Sequence, residues 1–222
     1  MLAVLREKIQ AVGDLFRAAG PAGALVELPL WTIRRAFVVL ELSGEGGAST
    51  APIDGLRVAR LGEGDLSALQ RLFPVMTGHE VRRRWSEGQV CTIGWVGCEP
   101  AYYRWDTTRP VHLAFLGKTF HPGPGEFLTT EARTHDRFRR LGVARAVTRS
   151  TLQEFRAGGR PRRVTLVACW NRPSLRFNVR VASRIVGTVG YWNLGVRRRY
   201  FATGAVRLEG SVVSIATPPG EA

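Results

Sequence analysis

Apolar residues recurring at three- and four-residue steps predict helices in this chain, and strict alternation predicts strands. Leu2, Leu5, Ile9, Val12 and Phe16 share one stripe, while Arg6, Glu7, Lys8, Asp14 and Arg17 lie mostly off it. Residues 1–20 therefore predict an amphipathic helix, stopped by Gly20-Pro21. A second helical piece is expected after Pro29, carrying Leu30, Trp31 and Ile33 beside Arg34 and Arg35, and residues 37–42 read as a strand. Residues 43–52, rich in Gly, Ser and Ala, read as a boundary.

Beyond that boundary, short strands and helices interleave. Residues 56–60 alternate as a strand, and 62–73 predict a short helix with Asp65 as its N-cap. A basic helical segment at 79–87 leads into strands at 90–96, 101–105 and 111–115. Pro122-Gly123-Pro124-Gly125 is a turn, 126–133 is strand-like, and 142–155 has a clear helical period. A buried strand at 164–169, a helix at 172–181, and strands at 185–195 and 198–202 complete the pattern. The expected class is α/β or α+β around a mixed sheet. The expected organisation is a helical extension with one strand over 1–52, a main domain over 53–210, and a tail over 211–222.

Composition narrows this picture. At 222 residues, 45% hydrophobic and 23% charged, the chain suits one packed domain with an extension. No apolar run reaches the ~18 residues of a spanning helix, and charge at Arg6, Glu7 and Lys8 occupies the place of a signal peptide's apolar stretch. A cytoplasmic protein is expected. Cys91, Cys98 and Cys169 have no metal-ligand or CxxC spacing, so reduced structural thiols and no metal are expected. Thirty-two basic against eighteen acidic residues leave +14, a balance that attracts anions. Only Lys8 and Lys118 are lysines, so the excess is almost wholly arginine, a bias that a GC-rich coding sequence also produces.

The most informative stretch is 129–150, TTEARTHDRFRRLGVARAVTRS. A strand ends near Arg133, a polar turn follows, and a helix begins at Gly142, where glycine lets a ligand approach the backbone. The first N–H groups of a helix lack intrahelical partners and sit at the positive end of its dipole, a geometry that favours phosphate or pyrophosphate. Arg139, Arg140 and Arg145 would add charge there.

Arg139-Arg140-Leu141-Gly142-Val143-Ala144 resembles the Gln/Arg-x-x-Gly-x-Gly/Ala pattern of the GNAT superfamily of acyl-CoA-dependent N-acyltransferases. Some thirty residues on, Asn171-Arg172-Pro173-Ser174-Leu175 after the strand at 164–169 resembles that family's Asn-x-x-Ser-Leu segment. The resemblance covers residues 56–203. It implies a mixed, mostly antiparallel sheet flanked by helices, with acetyl-CoA or a longer acyl-CoA as donor. By the same resemblance the 139–144 loop binds the pyrophosphate, the strand near Ala132 and Thr134 meets the pantetheine and thioester, and Asn171 and Ser174 flank the pantetheine. That strand would splay from its neighbour to admit the arm, assisted by a bulge. A basic helical extension precedes the domain in a subset of the family.

The chain departs from the pattern at three places. Asn178 stands where the family often has a Tyr acid, and an amide cannot give up a proton at neutral pH. Ala182-Ser183 replaces Gly-Phe, and Thr134 replaces a common Val. Glu131, on the implied strand, is the first candidate for a general base, with Glu126 and His135 behind it. By the same resemblance the acceptor, a small-molecule or peptide amine, would meet residues 79–85, the aromatic strand at 102–106, and Tyr191-Trp192, which by residue type alone also read as a helix's solvated face and core aromatics.

Two other classes stand against an enzyme: an acyl-CoA-binding module without turnover, which Asn178 motivates, and a basic protein of membranes or nucleic acid. No recognised nucleic-acid motif is present. The 1–20 stripe mixes Glu7 and Asp14 with its bases, unlike a strongly cationic anchor. Docking on the domain, a second copy in a homodimer, and peripheral membrane contact are its open uses.

Overall fold

A computed structural model describes residues 34–43, 53–181, 184–194 and 197–216. The helix expected at 1–20, most of the 43–52 boundary and Ala182-Ser183 lie outside these residues. The described elements are β1 (Arg34–Leu42), β2 (Leu56–Arg60), α1 (Leu66–Leu72), α2 (Gly78–Ser86), β3 (Val90–Val96) and β4 (Glu99–Thr107). They continue with β5 (Val111–Leu113), β6 (Lys118–Phe120), β7 (Glu126–Thr134), α3 (Val143–Ala157), β8 (Arg162–Ala168) and α4 (Arg172–Val181). The last are β9 (Arg184–Leu194), β10 (Arg197–Gly204), β11 (Val206–Glu209) and β12 (Val212–Ile215). No described helix is long and apolar enough to cross a membrane.

Eight strands form one sheet in the order β10-β9-β1-β8-β7-β4-β3-β2. Every neighbouring pair is antiparallel except β7 and β8, whose parallel pairing is spanned by the crossover helix α3. Alternation along the strands sorts the core onto two faces. Tyr103 and Trp105 of β4 pack against Leu69, Phe73, Met76 and Val81 from the α1–α2 region. Tyr102, one residue off in phase, packs against Val143 and Val147 of α3. Gly94 of β3 permits that approach, because a Cβ there would lie 2.6 Å from Val147 Cγ2 and 3.2 Å from Val143 Cγ1.

Three expectations are corrected. Residues 34–42 do not precede the domain but lie inside its sheet, with β1 between β8 and β9 and Phe37, Val39, Leu40 and Leu42 buried. Arg34 and Arg35, expected in a helical piece, begin that strand. Residues 206–215, partly assigned to a tail, join β5 and β6 in a four-stranded sheet ordered β11-β12-β6-β5. This small sheet packs Phe120, Val206 and Val213 against Val39, Leu128 and Val164. Asp65 occupies the N-cap position of α1 as expected, while its carboxylate accepts from the N–H of Gly62 at 3.0 Å ahead of a short 3₁₀ turn. Of the cysteines only Cys91 is buried.

Candidate active site

The large sheet is split down its middle. β7 pairs with β8 only where Glu126–Thr129 meet Arg162–Thr165. Beyond that point β7 runs on to Thr134 alongside β4, and β8 runs on to Ala168 alongside β1. The β4–β7 register shifts at the same level: Trp105 faces Glu131 and Asp106 faces Thr129, leaving Thr130 as the extra residue of a bulge. The result is a wedge-shaped opening walled by residues 130–134 and 166–168, whose facing backbone edges are not used in pairing with each other. Ala132 is exposed and Thr134 half-buried on the first wall.

At the mouth, β7 passes through His135 and a 3₁₀ turn at residues 136–138 into α3. Phe138 is buried beside Tyr102, Val143 and Val147, which pins the turn to the sheet. Arg140 has φ +66° and Gly142 has φ +81°, two left-handed residues flanking Leu141. A Cβ at Gly142 would find space, its nearest contact being Ile53 at 3.6 Å, so the backbone angle and not crowding calls for glycine. Among the described residues, no N–H of residues 140–144 donates to a backbone carbonyl; the first to do so is that of Arg145, to Gly142. Arg140 and Arg145 have no acidic partner among the described residues. Arg139, expected to point at a ligand, is held instead by Asp136 at 2.7 Å. The sequence-predicted loop residues Arg139, Arg140, Leu141, Gly142, Val143, Ala144 and Arg145 thus gather beside the opening.

Across the opening, α4 starts just past the end of β8. Asn171 Oδ1 accepts from the N–H of Ser174 at 3.2 Å, so Asn171 caps the helix. Asn178, named in the sequence as a stand-in for an acid, is buried with both ends of its amide engaged. Its Nδ2 donates to the Ser174 carbonyl at 2.9 Å and approaches Ser174 Oγ at 3.3 Å, while its Oδ1 accepts from Arg163 Nη2 at 3.2 Å. It is a brace and not a proton donor.

Glu131 lies on the face that carries α1 and α2. Its Oε1 accepts from Tyr103 Oη at 2.5 Å and its Oε2 from Arg84 Nη2 of α2 at 2.8 Å. Arg84 also reaches Glu80 at 2.7 Å and lies over the Trp105 ring at 5.2 Å. Burial pushes the Tyr103 hydroxyl well above its ordinary range, and the adjacent Glu131 carboxylate pushes it further, so Tyr103 is a neutral donor. Burial works against the charge on Arg84, but Glu131 and Glu80 outweigh it and hold the guanidinium above its usual value. The other base candidates lie elsewhere. Glu126 is buried under the Gly123 N–H, with burial raising its carboxyl, and His135 packs against Phe73.

A buried polar cluster at the root of the split was not foreseen. Arg104 and Asp106, both wholly buried, pair at 2.6 Å, and Thr129 Oγ1 meets Asp106 at 2.8 Å, Arg104 at 2.6 Å and Arg163 at 2.9 Å. Burial, reinforced by the neighbouring Arg104 charge, pulls Arg163 down to about 10. The cluster clamps β4, β7 and β8 together at the last residue of the β7–β8 pairing.

This split sheet has a left-handed turn and a helix start at its mouth. The chain matches no established family profile and no curated protein. It does align with an acetyltransferase of the GNAT family from Novosphingobium aromaticivorans, at 14% identity and a TM-score of 0.50, over 71% of this chain and 62% of that one. The chain has the GNAT fold. Alignments to two further structures with this fold are looser. One is an aminoglycoside acetyltransferase from an uncultured soil metagenomic sample, in complex with sisomicin (14% identity, 55% of this chain, 84% of that one, TM-score 0.41). The other is an N-acetyltransferase from Staphylococcus aureus (12% identity, 55% and 79%, TM-score 0.42). β1 forms the outer support of β8 in this sheet.

Proposed function

We propose that the protein is an N-acyltransferase that moves an acetyl or longer acyl group from CoA to an amine. The observation that carries this reading is the backbone of residues 140–144: two left-handed residues and a run of N–H groups without backbone acceptors, opening a 15-residue helix beside the split in the sheet. Such a terminus suits a diphosphate, and Arg140 and Arg145 would add charge-assisted contacts. The pantetheine arm would lie in the opening, pairing its amides with the free edges of β7 and β8. An N–H of the Ala132–Thr134 wall would meet the thioester oxygen as it gains charge.

The amine nitrogen attacks the carbonyl carbon, a C–N bond forms, and the C–S bond breaks with sulfur leaving as thiolate. Glu131, fixed by Tyr103 and Arg84, takes the proton that the nitrogen loses and passes it to solvent, and solvent protonates the thiolate. A thiol is a far stronger acid than an alcohol, so thiolate departs without a protonating side chain, and Asn178 in place of a Tyr does not forbid turnover.

Calorimetric titration with acetyl-CoA tests the donor site. Gly142→Glu imposes a left-handed non-glycine residue, costing about 1–2 kcal/mol, and adds a like charge at the anion site. Affinity should fall by roughly 30-fold or more. Equal binding by wild type and variant would reject the assignment. Thiol release from acetyl-CoA with a panel of amines then separates an enzyme from a module that only binds.

A further inference from the structure

We infer that the acceptor is an amine carrying its own carboxylate, of the amino-acid type, recognised by Arg133. The inference rests on the N-acyltransferase reading above. Cross-strand partners share a face, so Arg133, opposite Tyr103, lies on the α1–α2 face together with Glu131, opposite Trp105. The two are i and i+2 on one strand, roughly 7 Å apart along it.

They do not pair with each other. Glu131 spends one oxygen on Tyr103 and the other on Arg84. Arg133 is half-buried, and its guanidinium has no hydrogen bond or ion pair among the described residues. The acidic side chains of α2 and its C-cap are already matched: Glu80 with Arg83 and Arg84, and Glu87 with Arg83. What remains open beside the reactive wall of β7 is one guanidinium next to one carboxylate that retains lone pairs. That arrangement complements a zwitterion, with the ammonium directed to Glu131 and the carboxylate to Arg133 in bidentate fashion. A polyamine or aminoglycoside needs several unengaged carboxylates, and Glu80 and Glu87 are both engaged by arginines. The ammonium's first proton passes through Glu131 to solvent; the neutral amine then attacks as described above, Glu131 being ionised again to take the second, and the carboxylate stays bound and unchanged.

The test is thiol release from acetyl-CoA with pooled amino acids, the matching amino-acid amides, spermidine and sisomicin, using the full chain. Amino acids should be acetylated with kcat/KM at least ten times that of the amides. Arg133→Met should lower kcat/KM for the acids by about 10- to 100-fold, chiefly through KM, lower it for the amides by a much smaller factor, and be partly rescued by Arg133→Lys. Preference for spermidine or sisomicin, or an equal effect of Arg133→Met on acids and amides, overturns the inference while sparing the acyltransferase reading. Acetyl-CoA binding that Gly142→Glu abolishes, with no amino acid acetylated, also overturns it. Failure to bind acetyl-CoA at all removes both.

Discussion

Replacing Gly94 by Ala should loosen the donor site from the far side of the sheet. The added Cβ would sit 2.6 Å from Val147 Cγ2 and 3.2 Å from Val143 Cγ1. Carbon contacts are comfortable near 3.5–4.0 Å, so α3 has to retreat by about 1 Å. Rotation gives no relief, because valine in a helix is confined almost to one rotamer. Overpacking of this kind costs about 1–3 kcal/mol. The displaced residues are Val143 and Val147, in the first turns of α3, so the 140–144 backbone moves with them and acetyl-CoA affinity should fall together with stability. Val147→Ala removes the clashing methyl; alone it should destabilise by about 1–2 kcal/mol through the cavity it leaves. The double variant should be more stable than the sum of the two single changes, by about 1 kcal/mol or more of coupling, and should regain donor affinity. Urea denaturation and calorimetric titration of the four proteins decide the matter. Strict additivity would refute close packing of Gly94 on α3 as the reason for glycine there.

Three further outcomes are expected. Asp106→Asn leaves the buried Arg104 and Arg163 without their counter-charge and should cost about 3–5 kcal/mol in urea denaturation; a loss below 1 kcal/mol contradicts the cluster. Burial raises the folded-state carboxyl of Glu126, so its contribution to stability is full below the unfolded value of 4.5 and is lost as pH climbs through the raised folded value. Glu126→Gln should therefore grow more stable relative to wild type as pH rises from 4 toward 7, and a pH-independent difference would count against that burial. A chain of residues 53–222 lacks β1, whose Phe37, Val39, Leu40 and Leu42 are buried at 5%, 0%, 1% and 4% exposure. At about 1.5–3 kcal/mol per side chain the loss rivals the whole stability of a domain, so this fragment should show no cooperative unfolding by circular dichroism.

What the sequence disclosed and what it hid divide along the range of the interactions. The 139–144 loop was legible because its requirements are local: a left-handed glycine, a helix start, and arginines within a few residues. The strands at 90–96 and 126–133 were legible because alternation survives in each segment alone. Glu131 could be placed on its strand, but its partners Tyr103 and Arg84 are 28 and 47 positions away, and no periodicity carries that information. Asn178 was read by its place in a motif, whereas its role follows from Arg163, which arrives from β8. Most of the small sheet was hidden for another reason. β5 falls within the strand read at 111–115, but β6, β11 and β12 have only three or four residues each, too few for alternation to show, and β12 finds β6 in parallel across some ninety residues. Charged residues inside an aromatic strand, Arg104 and Asp106, were the available hint of the buried cluster.

The opening in the sheet follows from competition between neighbours. β8 is matched to β1 from Arg163 to Ala168, six consecutive positions, but to β7 over only four. β7 is matched to β4 from Thr107 to Tyr102, across the bulge. Each wall of the split is thus held on its outer side for its full length, and closing the gap would require one wall to surrender register with its partner. A slip by one residue would turn the apolar set of β8, with Val164 on the core face, to the wrong side. The clamp of Arg104, Asp106, Thr129 and Arg163 fixes where the divergence starts. A ligand entering such a slot meets backbone edges already presented and has no sheet to open, so its binding energy is not spent on distortion. On this argument β1, which contributes no residue to the loop or to Glu131, holds the split open, and the proposed donor site depends on residues 34–42 as much as on the motif at 139–144.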